Sequence, residues 1–190
     1  IKHAGGYGGG ITIGAGDGYK CQNITINHCN FYNMSLADSG AGIYTGGHFK
    51  NNPVSEIKIY TCKFDKEYIS TTGGRGSAIE LNANHAFIIN CTFTNNNAAG
   101  SGTLGLFKTA TYCTIINCTF INNTASEGGA IQFKANNCNV TYCDFIGNGA
   151  IASGITSVAI GSGYFAPNDS YFIHCPKAKH KNSVAMPSCS

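Results

Sequence analysis

One short phrase recurs along the chain, and that recurrence limits the fold more than any other feature of the sequence. Aligned on a cysteine it reads INHCNF from Ile26, IYTCKF from Ile59, IINCTF from Ile88, IINCTF from Ile115 and VTYCDF from Val140. A sixth copy, FIHCPK from Phe172, keeps the cysteine but has Lys177 where the others have Phe. Five and three positions before each cysteine stand apolar residues: Ile24 and Ile26, Ile57 and Ile59, Ala86 and Ile88, Cys113 and Ile115, Cys138 and Val140. Alternation with period two in runs this short predicts strands. A second phrase lies between the copies of the first: Ile11-Thr12-Ile13, Ile43-Tyr44-Thr45, Ile79-Glu80-Leu81, Leu104-Gly105-Leu106 and Ile131-Gln132-Phe133, with a sixth copy of ambiguous register near Ser157 to Ile160.

Successive cysteines of the first phrase are 33, 29, 27, 25 and 32 residues apart, and the variation falls in the turns. A unit with about three short strands and no hairpin chemistry fits one turn of a parallel solenoid better than a sandwich or a propeller. The expected fold is all-β, a single-stranded right-handed parallel β-helix of about six coils of 25–33 residues. Its hand follows from the general preference of parallel crossovers. Residues 1–175 form the β-helix in this reading, and residues 176–190 a C-terminal capping tail. Equivalent side chains then stack at a strand spacing of about 4.8 Å. The result is a core ladder of Cys29, Cys62, Cys91, Cys118 and Cys143, with Phe31, Phe64, Phe93, Phe120 and Phe145 beside it.

Charged residues make up 11% of the chain and the net charge is +3, so the balance implies neither nucleic acid nor an acidic membrane surface, and with no apolar run long enough to span a bilayer no membrane insertion is expected. Ten cysteines and seven Asn-x-Ser/Thr sequons point to an oxidising, secreted or cell-surface setting. The chain starts at Ile1 with neither an initiator Met nor a signal pattern, and is expected to be part of a longer or processed polypeptide. No Cys-x-x-Cys pair occurs, and no cofactor or metal is expected.

Phe93-Thr94-Asn95-Asn96, Phe120-Ile121-Asn122-Asn123 and Phe145-Ile146-Gly147-Asn148 match F-x-x-N, and Gly128-Gly129-Ala130-Ile131 matches G-G-A-I. In these paired motifs the chain resembles the chlamydial polymorphic outer-membrane proteins, and it is similar to adhesin-like surface proteins with the same kind of repeat. The resemblance implies an extracellular β-helix associated with adhesion and carries over no catalytic residue. Phe31 and Phe64 depart from the motif, being followed by Tyr32-Asn33-Met34 and Asp65-Lys66-Glu67.

The cysteine ladder admits two readings, stacked thiols or bonds between neighbours, because one coil step lies within the Cα separation of a disulfide. Cys113 and Cys138 share a slot in adjacent coils with no further partner there, and a bond between them is expected. Cys175 and Cys189 form a second candidate pair, stapling the tail. Among the sequons, Asn90 and Asn117 precede ladder cysteines in adjacent coils, so they are read as stacked turn residues. The candidate glycan carriers are Asn33, Asn122 and Asn168, with Asn23 and Asn139 behind them.

Hydrolysis of a polysaccharide needs two carboxylates on one groove, and the nine acids are scattered in sequence. Asp65 and Glu67 flank Lys66 in a turn and are read as solvated. Arg75 is the only arginine. The expected function is a non-catalytic extracellular structural or adhesin module, N-glycosylated, with a polysaccharide lyase or glycoside hydrolase as the alternative. Expected partners are another copy or a neighbouring domain docked on the open strand edges, covalent N-glycans, and host or cell-surface glycans.

Overall fold

In the computed structural model the chain winds through four parallel sheets, entering each once per coil. The structure describes residues 8–14, 20–36, 38–46 and 54–150, and beyond them the backbone of three strands, Ile160–Gly161, Tyr171–Ile173 and Ala178–Lys179. The first sheet stacks Ile11–Ile13, Ile43–Thr45, Ile79–Leu81, Leu104–Leu106, Ile131–Phe133 and Ile160–Gly161. The second stacks Cys21–Asn27, Val54–Tyr60, Phe87–Ile89, Thr114–Ile116, Asn139–Thr141 and Tyr171–Ile173. In the third are Asn30–Tyr32, Lys63–Asp65, Thr92–Thr94, Thr119–Ile121, Asp144–Ile146 and Ala178–Lys179. The fourth holds Ser35–Leu36, Tyr68–Ile69, Asn97–Ser101, Thr124–Glu127 and Gly149–Ala150.

The chain turns from sheet to sheet at single residues in the left-handed region. Entry to the second sheet is made at Asn23, Glu56, His85, Tyr112 and Asn137 (φ 51 to 57°). The corner before each ladder cysteine is His28, Thr61, Asn90, Asn117 or Tyr142 (φ 52 to 55°), and the corner after each Phe is Asn33, Lys66, Asn95, Asn122 or Gly147 (φ 52 to 63°). Asn is frequent at these corners because its short polar side chain tolerates this backbone. Among the described residues, return to the first sheet is made only at glycine, namely Gly8, Gly40, Gly76, Gly102 and Gly128. A Cβ at Gly40 or Gly128 would lie 2.5 Å from the carbonyl oxygen of Ile43 or Ile131, which no relaxation of a side chain relieves.

The expected ladders form. Phe31, Phe64, Phe93, Phe120 and Phe145 stack face to face with centroids 4.7, 4.9, 4.5 and 5.1 Å apart and planes within 9° of parallel. Cys62, Cys91, Cys118 and Cys143 are buried beside them, and Cys29 in the first coil is half-buried. Ile43, Ile59, Ile79, Ile88, Ile115, Ile131 and Val140 complete the apolar core.

A third ladder is polar and lies in the last position of F-x-x-N. Asn96, Asn123 and Asn148 are buried. Each side-chain oxygen accepts the backbone N–H one coil earlier: Glu67 to Asn96 at 2.8 Å, Asn96 to Asn123 at 3.0 Å and Asn123 to Asn148 at 2.9 Å. Each side-chain amide donates to the Phe carbonyl one coil earlier, Asn96 to Phe64 at 3.1 Å, Asn123 to Phe93 at 3.0 Å and Asn148 to Phe120 at 2.8 Å. The corner backbone, where strand pairing lapses, is thus satisfied from inside.

Three expectations change. The bond between Cys113 and Cys138 is not formed, and both are buried free thiols; the described ladder cysteines are free thiols too, all buried but the half-buried Cys29. Each sulfur donates instead to carbonyls, Cys113 to Ala83 at 3.4 Å and Cys138 to Ala110 at 3.1 Å. The neighbouring Cys138 thiol and then burial push Cys113 well above the ordinary thiol range, the same contact lowers Cys138, and burial pushes Cys62 up to about 11. Cys175 and Cys189 lie outside the described residues. Glu67, read as solvated, is buried, because its corner points the position inward as it does for Asn96. The stack also runs past residue 175: Phe145 pairs with Ala178, so Ala178 and not Lys177 occupies the sixth Phe slot. In the first sheet Ile131 pairs with Ile160, which fixes the register left ambiguous.

Candidate functional site: the outer face of the first sheet

Chemistry converges where the strands of the first sheet show their outward residues. Register brings Glu80, Gly105 and Gln132 into one row across three coils. Parallel pairing places Arg75, Ser101 and Glu127 in a second row just before the corner glycines. Asn82, Phe107 and Lys134 form a third row where the strands end, held by bonds from Phe107 N to Leu81 O and from Lys134 N to Leu106 O. The acids scattered in sequence are therefore partly gathered by the fold, with the sole arginine among them. Glu80 and Glu127 stand two coils apart, on the order of 10 Å by strand spacing.

The face is nevertheless filled by its own side chains. Gly105 has no side chain, and the Phe107 ring lies in the space this leaves, 2.8 Å from where a Cβ on Gly105 would be. Phe107 is 6% exposed. The Arg75 guanidinium lies over this ring at 4.7 Å and the Lys134 ammonium at 5.5 Å, so both cations clamp it. The carboxylates hold neutral amides: Asn82 Nδ2 donates to Glu80 Oε1 at 2.9 Å, and Gln132 Nε2 donates to Glu127 Oε2 at 2.6 Å. Glu80 and Gln132 are buried. A sugar ring or an attacking water has no room between the acids while Phe107 stays in place.

On the other walls the charged residues include Glu56 and Lys58 on the second sheet and Lys63, Asp65, Lys66 and Asp144 on or beside the third. On the second sheet Phe87 is exposed, Tyr112 and Tyr142 project from left-handed corners, and the Tyr112 ring stacks on His85 at 5.2 Å. Asn117 Nδ2 donates to Asn90 Oδ1 at 2.7 Å, which bears out the stacked-turn reading of that pair. Of the candidate glycan carriers, Asn33 and Asn122 occupy equivalent exposed corners and Asn23 and Asn139 are exposed on the second sheet's side. Asn168 lies outside the described residues. Among the described residues no three His, Cys, Asp or Glu side chains are placed to hold a metal ion, and no helix is long and apolar enough to cross a membrane.

The row of acids and amides was missed in the sequence because Arg75, Glu80, Glu127 and Lys134 lie in different repeats. The signal available was positional, in that Glu80, Gly105 and Gln132 share the central slot of the second phrase.

Four parallel sheets joined by one-residue corners, with like residues stacked inside, define the class: a parallel β-solenoid. The model of the right-handed β-helix region matches residues 3–170, and the chain belongs to that family. Comparison with curated proteins and with solved structures returns no match.

Proposed function

We propose that the chain is a non-catalytic module of a cell-surface or extracellular protein, an adhesin or a filament subunit, bearing N-glycans at exposed sequons. The observation that carries this reading is the filled outer face of the first sheet. Its two carboxylates are tied to amides, and Phe107 occupies the space a substrate would need. The surface offered to a glycan or protein ligand in this reading is the second sheet's side, with Phe87, Tyr112 and Tyr142 exposed. The first coil offers a second contact. Its strands Ile11–Ile13, Cys21–Asn27, Asn30–Tyr32 and Ser35–Leu36 end each sheet and pair on one edge among the described residues, which suits another coil-bearing copy or domain. Exposure of Asn23, Asn33, Asn122 and Asn139 supports glycosylation and with it a secreted location.

The alternative, a polysaccharide lyase or hydrolase, is favoured by the gathering of Arg75, Glu80, Glu127 and Lys134 on one face. One experiment separates the two. The wild-type chain and Phe107→Ala are incubated with neutral and acidic polysaccharides, and new reducing ends and unsaturated uronate absorbance are followed. No turnover is expected from either protein. Turnover that disappears in Glu80→Gln or Glu127→Gln would overturn the structural reading.

A further inference from the structure

In the second coil the polar ladder is interrupted by an acid. Phe64 is followed at the third position by Glu67, which occupies the slot of Asn96, Asn123 and Asn148 and is 0% exposed. Its backbone N–H obeys the ladder pattern and donates to Asn96 Oδ1 at 2.8 Å. Its side chain meets that pattern only in part, since neither carboxyl oxygen reaches full hydrogen-bond geometry although the Met34 backbone N–H acts on it. Every asparagine of the ladder sends an N–H to the Phe carbonyl one coil earlier, and by register the carbonyl for Glu67 is that of Phe31. An ionised carboxylate has no proton to send. Around it are Met34 and the apolar cluster of Leu36, Ala41, Ile69 and Ala98.

Among the described residues no side-chain cation is paired with the site, and the chain's N-terminal charge is the one cation that acts on it, lowering its pKa. From its own coil the charged and titratable neighbours are Asp65, Lys66 and Tyr68, and Lys66 Nζ is turned outward to the Tyr32 hydroxyl at 3.4 Å. The first coil contributes Tyr32, whose ring is exposed, and residues 95–98 of the third coil contribute no titratable group.

We propose that Glu67 makes the seam between the first and second coils a pH-sensitive joint. With its proton the carboxyl can serve Phe31 as the amides serve the other Phe carbonyls; without it a buried charge remains that only parting of the seam can hydrate. Burial pushes this carboxyl up from 4.5 to about 8; the Met34 backbone N–H, the next largest influence, and the N-terminal charge oppose it, and Asp65 adds the least. The folded value is raised, so the stabilisation is fully present below about 4.5 and is lost as pH rises to about 8. Across that window the opening constant of the seam rises about tenfold per pH unit, and above it the constant levels off. Opening bares the apolar edge of the second coil, with Ile59, Cys62 and Phe64 along it. The joint therefore governs whether that edge is covered by the chain's own first coil or is free to take a strand from outside.

The test is amide hydrogen exchange of the whole chain by mass spectrometry, wild type against Glu67→Gln at matched pH so that intrinsic exchange cancels. In peptides covering residues 20–36 and 54–69 the protection of wild type relative to Glu67→Gln should fall about tenfold per pH unit and then level near the folded value. Residues 104–146 should show no such change. A ratio that is flat with pH, or one that falls equally in all coils, overturns the proposal. Should Glu67→Gln fail to fold, Glu67→Asn supplies the reference, since it restores the ladder residue. In wild type itself, infrared spectra at neutral pH should show one protonated-carboxyl band, and its absence refutes the proposal without any variant.

Discussion

Asn123→Ala tests whether the amide ladder, and not apolar packing alone, closes the corner between the third and fourth sheets. Asn123 is fully buried, and its side chain makes four bonds. Oδ1 accepts from the Asn96 backbone N–H and from Asn96 Nδ2, both at 3.0 Å. Nδ2 donates to the Phe93 carbonyl at 3.0 Å and to Asn148 Oδ1 at 2.9 Å. Alanine keeps the backbone bonds, from Asn123 N–H to Asn148 Oδ1 and from Gly149 N–H to the Asn123 carbonyl, and loses every side-chain bond. It removes the acceptor of the Asn96 N–H, one of two acceptors of the Asn96 amide, and the side-chain donor to Phe93. A buried group left without its partner costs ~1–3 kcal/mol. The N–H carries most of this, and the two groups that keep other partners carry less, so the expected loss is about 3–5 kcal/mol. Against a domain stability of ~5–15 kcal/mol this is a large shift of the unfolding midpoint. Urea denaturation followed by far-UV circular dichroism measures it, with Asn97→Ala on the exposed side of its strand as the control, expected within ~0.5 kcal/mol of wild type. Asn123→Asp separates hydrogen bonding from shape. It keeps the volume but loses both donors when ionised, so its folded carboxyl should rise above the ordinary ~3.9. Stability should then match wild type most closely at acid pH and fall as pH rises through the folded value. A loss from Asn123→Ala no larger than the control, or an Asn123→Asp variant indifferent to pH, would refute the ladder's role.

Phe120→Ala removes the fully buried fourth ring of the stack, with neighbours at 4.5 and 5.1 Å, and should cost ~3–5 kcal/mol in a thermal or urea unfolding series. A midpoint equal to wild type would mean that the ring stack does not hold the third sheet to the core. Cys113 and Cys138 should resist alkylation in the native chain and react only after denaturation, both as free thiols; a peptide map without reductant that recovers them linked would contradict the carbonyl-bonded arrangement.

Ten cysteines suggested an oxidising compartment, yet the eight described are free thiols, six of them buried, and behave as small core residues. The sequons now bear the weight of that reading, and their placement supports it, because Asn23, Asn33, Asn122 and Asn139 are all exposed. Asn90 and Asn117 show the other use of the same tripeptide, with one amide spent on its copy in the next coil.

The fold was legible because its determinants are local and repeated. Alternation of Ile and Phe with polar residues sets which side of a strand faces inward, and repetition of the phrase sets the pairing, so the Phe and Cys ladders could be written down from the primary structure alone. The Asn ladder stood equally plainly in F-x-x-N but read as turn chemistry. Whether such an asparagine faces water or the corner depends on one left-handed residue before it, and a shift of one position moves a side chain from surface to core. For the same reason Glu67 looked like a solvated turn acid beside Lys66, and Ala178 displaced Lys177 from the sixth Phe slot. Contacts between coils lay further out of reach. Arg75, Glu80, Phe107, Glu127 and Lys134 meet only because connections of unequal length end in register, and Phe107 fills the face only because Gly105 sits one coil from Glu80 and one from Gln132. A sequence specifies the period and inward face of each strand through local sterics and hydrophobicity. Which outward residues become neighbours, and whether the space between them is open or filled, is decided by how the coils superpose.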